Sequence, residues 1–229
     1  MKTTLFIPMK NEIEGLKIIL PRIKKEWIDE ILFIDGNSTD GSYEYVRDLG
    51  HIVHRQKTDG ICGAFWECME HATGDQIIAF SPDNNSIPEL IPDVVNKLNE
   101  GHDLVVVSRY LRGATSEDDD PVTAFGNWMF TTAVNVLFRA RITDSLVIYR
   151  GFKTKLVAEL ELDEKHLPLF EMQMSIRSAK FKKKVTEIPG SEPIRIGGVR
   201  KMRPLYNGSA IVYLILKEFF THWKTKNGR

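Results

Sequence analysis

The sequence predicts an α/β fold built on a mostly parallel sheet, and three observations predict it. Four short apolar runs, Thr4–Ile7, Ile31–Ile34, Ile77–Phe80 and Leu104–Val107, lack polar–apolar alternation, as expected of strands covered on both faces. Helical patterns lie between them, and strand–helix alternation favours right-handed crossovers. Every run also opens directly into polar residues, and in open α/β sheets the carboxyl ends of the strands hold the ligand.

The elements follow in order. Thr4–Ile7 leads into Pro8-Met9-Lys10-Asn11-Glu12, then a helical pattern over about Glu12–Trp27 that Pro21 should kink or divide. Ile31–Ile34 leads into Asp35-Gly36-Asn37-Ser38-Thr39-Asp40-Gly41 and a helix over Ser42–Leu49. His51–His54 adds a short fifth strand, and Gly63–Ala72 a helix. Ile77–Phe80 leads into Ser81-Pro82-Asp83-Asn84-Asn85 and a helix over Pro88–Asn99. Leu104–Val107 leads into Ser108-Arg109-Tyr110. Any one of these ends could be a turn or a helix cap. Together they bring carboxylates, amides and an arginine to one crevice.

Composition narrows the classes. Lys+Arg and Asp+Glu both total 31 in 229 residues, without the basic excess of a nucleic-acid binder. The two cysteines, Cys62 and Cys68, lack C-x-x-C spacing and read as buried thiols of a reducing compartment. MKTTLFIPMKNE turns polar too soon for a signal peptide. Residues 122–138 carry no charge, but Thr123, Asn127, Thr131, Thr132 and Asn135 interrupt them, so no membrane-spanning helix is expected. The turn after the first run is PMKNEIEG, and no G-x-x-x-x-G-K-[ST] occurs. Neither a Rossmann fingerprint nor a P-loop is therefore present. A carboxylate-lined crevice suits Mg²⁺ or Mn²⁺ holding a diphosphate.

The order of motifs resembles glycosyltransferase family 2, with the nucleotide-sugar-binding GT-A fold, and is most similar to the dolichyl-phosphate mannose synthase and polyprenyl-phosphate glycosyltransferase group. IPMKNE resembles the opening motif, ILFIDGNSTDGS the second-strand motif, and FSPDNNSIPE the segment that carries the metal-binding D-x-D. SRYLRG and TDSLVIYRGFK resemble the acceptor-side segments, and EIPGSEPIRIGGVRKM a late R-x-x-G-x-x-K loop. The likeness spans about residues 3–205. It implies a GT-A domain over 1–205 and leaves 206–229 as an amphipathic helix with a basic tail.

The resemblance assigns roles. Pro8, Asn11 and Glu12 frame the base and ribose; Asp35 contacts the base; Gly60, Ser81, Asp83, Asn85, Arg109, Arg195 and Lys201 complete the nucleotide-sugar site, with Gly63 nearby. The D-x-D has become Ser81-Pro82-Asp83, which leaves Asp83 as the metal carboxylate. Arg109 and Lys201 would assist catalysis, and Asp144 matches the acceptor-side aspartate. Asp40 reads as a turn or cap residue, and the acidic loop Ser116–Asp120 as a solvated, mobile segment. The loop over 193–203, with Arg195, Gly198 and Lys201, reads as a lid, whereas Arg200 and Arg203 read better as a solvated charge run.

The implied activity is inverting transfer from a UDP- or GDP-linked sugar to a polyprenyl phosphate. One departure stands out: PVTAFGNWMFTTAVNVLF has no basic residue before Arg139, where this group usually holds a lipid phosphate. Transfer to a glycan or glycolipid hydroxyl is the alternative, and Ser81 motivates a second, an inactive nucleotide-sugar-binding subunit. On the C-terminal segment, Ile211, Val212, Ile215, Leu216, Phe219, Phe220 and Trp223 share one helical face, with Lys217 and Glu218 opposite. That face would lie on a cytoplasmic membrane surface, cover the sheet, or meet a second copy or a membrane subunit.

Overall fold

The computed structural model describes residues 1–163, 169–197 and 204–221. Its strands are β1 (Thr3–Met9), β2 (Glu30–Asp35), β3 (Ile52–Arg55), β4 (Gln76–Ala79), β5 (Leu104–Ser108), β6 (Arg150–Lys153) and β7 (Val185–Pro189). Its helices are α1 (Ile13–Ile19), α2 (Ser42–Asp48), α3 (Gly60–His71), α4 (Ile91–Asn99), α5 (Pro121–Phe138), α6 (Leu156–Glu159), α7 (Phe170–Lys180) and α8 (Pro204–Phe220).

The seven strands form one sheet in the order β3-β2-β1-β4-β6-β5-β7. All pairs are parallel except those of β6, which runs antiparallel between β4 and β5. The five strands expected from the sequence are present, and the apolar runs are covered on both faces by two core clusters. Pro21 divides the first helical segment: α1 stops at Ile19, and a 3₁₀ turn spans Leu20–Arg22. The sequence does not announce β6 or β7. Arg150-Gly-Phe-Lys has no apolar run, and β7 is a half-buried edge strand.

β6 makes the acceptor-side segment part of the site. Because it is antiparallel, it starts at the edge where β4 and β5 end, with Arg150 opposite Ala79. The stretch that precedes it, including Asp144, therefore arrives at the same rim as the strand ends.

A third cluster joins α5, α7 and α8 through Val134, Met172, Ile176, Ala210, Ile211 and Leu214. Ile211 and Ile215 of the expected apolar face of α8 are buried here, whereas Val212, Leu216, Phe219 and Phe220 remain exposed. Glu218 corrects the expected polar face. It is buried, and Arg177 Nε donates to its Oε1 at 2.7 Å. Trp223 and the rest of the tail lie outside the described residues. Cys62 and Cys68 are free and buried, and burial pushes the Cys68 thiol well up.

Candidate active site

The strand order reverses direction between β1 and β4, the kind of switch point where open α/β sheets form a ligand crevice. One wall is the joined ends of β1 and β2. Asn11 adopts a left-handed conformation (φ 55°), its Oδ1 accepting from the Thr39 N–H at 2.8 Å. Asp40 accepts from the Ile13 and Ser42 N–H groups at 3.1 and 2.9 Å, so it is a turn residue as expected. Pro8 pairs with Ile34 in the β1–β2 ladder. Asp35 is fully buried and accepts from the Ser38 N–H at 3.1 Å, so it builds the turn that shapes the wall. Gly60 opens α3 with φ +88° and crowds nothing, so its conformation is what requires glycine.

The opposite wall is the turn after β4. Gly15 lets it approach: a Cβ there would lie 2.2 Å from the Pro82 carbonyl oxygen. The turn thereby sits against the first turn of α1, beside Glu12. Asp83 and Glu12 are both buried, and one guanidinium bridges them. Arg195 Nη2 lies 2.5 Å from Asp83 Oδ2, and its Nη1 lies 3.4 Å from Glu12 Oε1. Two carboxylates thus converge within reach of a single cation, with the half-buried Ser81 two residues before Asp83. An all-oxygen set of this kind suits Mg²⁺ or Mn²⁺, so the residues fit the expected metal.

Arg195 reaches this place on an arm fastened at several points. The Ile196 N–H donates to the Asp83 carbonyl at 2.9 Å, and Asn84 Nδ2 donates to the Ile194 carbonyl at 2.9 Å. The Arg195 N–H donates to Asp118 Oδ1 at 3.2 Å. Lys201, Gly198, Arg200 and Arg203 lie outside the described residues.

The third wall carries Arg109 at the end of β5. Its Nε and Nη2 donate to the two oxygens of Asp144 at 2.7 and 3.0 Å. Asn127 Nδ2 of α5 and the Leu146 and Val147 N–H groups also donate to Asp144. Burial alone would raise the Asp144 pKa, but Arg109 and these donors hold it below the usual range. Burial likewise works against the Arg109 cation, and the Asp144 carboxylate outweighs it. Every Asp144 oxygen is taken and the residue is fully buried. It anchors Arg109 and is not an exposed base.

The acidic loop also departs from the solvated segment expected of it. Asp118 accepts from Asn85 Nδ2 at 2.9 Å, Asp119 accepts from the Tyr110 hydroxyl, and Asp120 caps α5. Glu192, which sequence reasoning missed, joins the halves. It accepts from Asn85 Nδ2 at 3.0 Å and lies 3.3 Å from Arg109 Nη1. No periodic or strand-end signal marks Glu192 or Asn127. Each is recruited by tertiary contact.

Three acid-rich strand ends around a switch point, two arginines and an antiparallel β6 within a parallel sheet define a GT-A transferase domain. The Glycosyl transferase family 2 model matches residues 4–161, and the chain belongs to that family. The undecaprenyl-phosphate mannosyltransferase of Micrococcus luteus is 24% identical over 243 residues, covering 100% of this chain and 99% of the relative. The dolichol-phosphate mannosyltransferase of Pyrococcus furiosus is 26% identical, covering 89% of this chain and 60% of that longer protein. Among solved structures, glucosyl-3-phosphoglycerate synthase of Mycobacterium tuberculosis, in complex with Mn²⁺, UDP-glucose and phosphoglyceric acid, superposes with a TM-score of 0.73 at 17% identity. The match covers 95% of this chain and 79% of that one.

Proposed function

We propose that this glycosyltransferase moves a sugar from a UDP- or GDP-linked donor to a polyprenyl phosphate with inversion, assisted by Mg²⁺ or Mn²⁺. The observation that carries the acceptor choice is the state of Asp144. A hydroxyl acceptor needs a carboxylate or imidazole to take its proton. The acid that the family pattern places on the acceptor side is fully buried and committed to Arg109, Asn127 and backbone donors. A phosphate acceptor is already an anion and needs no such base. The relatives from Micrococcus and Pyrococcus are named for undecaprenyl- and dolichol-phosphate, which agrees.

Each residue then has a physical task. Asp83, with Glu12 beside it, would hold the divalent ion, and the ion would balance charge on the departing nucleoside diphosphate. Pro8 and Asn11 shape the nucleotide wall. Arg195 is placed to leave its carboxylates for the diphosphate as the donor enters. Arg109, kept rigid by Asp144 and facing Glu192 with Nη1, would bring its positive charge to the rim beside an anionic oxygen. Lys201 is proposed to support the same diphosphate from the following loop.

Incubation of the protein with labelled UDP- and GDP-sugars, Mn²⁺ and either undecaprenyl phosphate or a soluble oligosaccharide tests this. Label should pass to the polyprenyl phosphate and should stop on addition of EDTA. Transfer to the oligosaccharide alone would overturn the acceptor assignment.

A further inference from the structure

Of the eighteen large apolar residues exposed among the described residues, six lie on α5 and seven on α8. These two helices pack together: α5 faces inward with Phe130 and Val134, and α8 with Ala210, Ile211 and Leu214. The exposed residues are therefore what remains after each helix has satisfied the core. On α5 they form a stripe of Val122, Phe125, Met129 and Val136, flanked by Trp128, which is 63% exposed. On α8 the stripe is Leu205, Val212, Leu216 and Phe219, ending in Phe220 at 73% exposure. The spacing of three, four or seven residues keeps each stripe on one face. No charged residue occurs anywhere in α5, and the one acid of α8, Glu218, is buried against Arg177. Two contacting helices that both leave an apolar outer face make an interaction surface.

We propose that this two-helix face rests on the surface of a bilayer that contains anionic lipid. It deepens the polyprenyl-phosphate reading, on which it rests for the reason a membrane is needed. Charge chooses the occupant. Just beyond the end of α5 stand Arg139 and Arg141, both exposed. Beside the end of α8, Lys180 Nζ reaches the Thr221 carbonyl at 3.3 Å, and the chain continues into the exposed Lys182 and Lys184. The sequence after α8, residues 222–229, adds two lysines, an arginine and no acid. Three of the four acids at the entry to α5 are engaged elsewhere, Asp118 with Asn85, Asp119 with Tyr110, and Asp120 as the helix cap, and Glu117 is exposed. Aromatic residues between basic ends suit the headgroup boundary. Among the described residues no helix is long and apolar enough to cross a membrane, so the face lies on the bilayer.

The position also serves the chemistry. Asn127, on the inner face of α5, donates to Asp144 at 3.2 Å. The width of one helix, about 10 Å, therefore separates the Arg109 anchor from the exposed stripe, which keeps the site close to the proposed bilayer surface.

Flotation of the full chain with vesicles tests the proposal. The chain should float with phosphatidylcholine–phosphatidylglycerol vesicles, and less with phosphatidylcholine alone or at high salt. The double variant Phe125→Glu/Trp128→Glu on α5, and Leu216→Glu/Phe219→Glu on α8, should each lose at least about tenfold in partitioning. Both pairs are exposed, and unchanged circular dichroism melts would show that the fold survives. A chain that stays at the bottom of the gradient overturns the proposal, as do variants that float as well as the parent. So does a dimer in sedimentation that these substitutions dissolve without any flotation, because a second copy would then cover the face. Transfer to a short, water-soluble polyprenyl phosphate is measured in parallel. Flotation without that transfer would sink the acceptor assignment and leave the membrane face standing.

Discussion

Arg109 and Arg195 face the same crevice and are held in opposite ways. Arg109 stands at the end of a buried strand, clamped by both oxygens of a fully buried aspartate that a ring of further donors holds in place. Arg195 stands on an arm after the last strand and grips two carboxylates, Asp83 and Glu12, that the proposed function gives to a divalent ion. The first cation is built into the scaffold, so its pairing cannot be released without cost. In the proposed function the second neutralises its partners only until the ion arrives. A guanidinium near a phosphate site can thus be a fixed anchor or a removable counter-ion. The carboxylate partners are buried in both cases, and what separates the two is the set of further donors already committed to Asp144.

The largest effect should come from breaking the fixed pair. Arg109→Ala leaves Asp144 buried and uncompensated, which costs about 3–5 kcal/mol. In a chain of this size that is a fall in Tm of roughly 6–20 °C, and transfer should be lost with it. Arg109→Lys keeps the charge but loses the fork, so it should recover part of the stability and little of the activity. A melt of Arg109→Ala within a degree of the parent would remove the distinction between the two arginines.

Asp83→Asn comes next. Transfer should fall by about 100-fold or more, since charge on the departing diphosphate is then poorly balanced. The melting temperature should hardly change, because the partner left behind is Arg195, on a partly exposed side chain. Full transfer in this variant, or full transfer in EDTA, would contradict the metal assignment.

A third arginine sharpens the contrast. Arg150 is fully buried and donates to the Val147 and Glu171 carbonyls at 3.0 and 2.8 Å rather than to a carboxylate. Burial lowers its pKa to about 10 and raises that of the neighbouring Glu171 to about 7, despite attraction to Arg150. Because the folded value of Glu171 lies above its unfolded one, the native state binds more protons between about pH 4.5 and 7. Stability should therefore fall as pH rises through that window, by at most about 3 kcal/mol. Glu171→Gln should flatten the decline, and urea melts from pH 5 to 8 would measure it. An equal slope in the variant would assign the decline to other groups.

How much of this was legible in the sequence depends on what held each residue in place. Five strands could be read because buried parallel strands must be apolar without interruption, and the polar turns around the crevice because each follows such a run. β6 was missed because its Arg150-Gly-Phe-Lys pattern carries a charge whose partners come from residues 145–147 and 171–175. Asp35 reads as a base contact from its place at a strand end, and the sequence does not show that its carboxylate also closes its own turn. The acidic loop looked solvated because its acids are consecutive. Only the fold brings Asn85, Tyr110 and Arg195 to meet them. The face of α8 was half right, since a periodic stripe does not say which part the core will use. For that reason point substitutions on the exposed stripe are better probes than truncation near Gly208, which would remove Ile211, Leu214 and the Glu218–Arg177 pair from the core.

The smallest effect concerns the removable cation itself. If Arg195 occupies the place that a divalent ion would take, the two compete, and removing the guanidinium should tighten ion binding in the absence of any nucleotide. The pair with Asp83 is short, but the Arg195 side chain is 23% exposed and solvent screens it, so its worth is about 1 kcal/mol. That corresponds to roughly a fivefold gain in Mn²⁺ affinity for Arg195→Ala, read by Mn²⁺ paramagnetic resonance or calorimetry on the full chain. The melt should fall less than in Arg109→Ala, because Asp83 keeps the Asn85 N–H donor when the guanidinium is lost. Transfer should still decline, because the diphosphate would lose the contact proposed for Arg195. Combination with Asp83→Asn separates the possible failures. Mn²⁺ binding that is insensitive to Asp83 would show that the ion sits elsewhere. Binding that needs Asp83 but is unchanged or weakened in Arg195→Ala would show that Arg195 supports the ion rather than yielding to it, and the two arginines would then differ in burial alone.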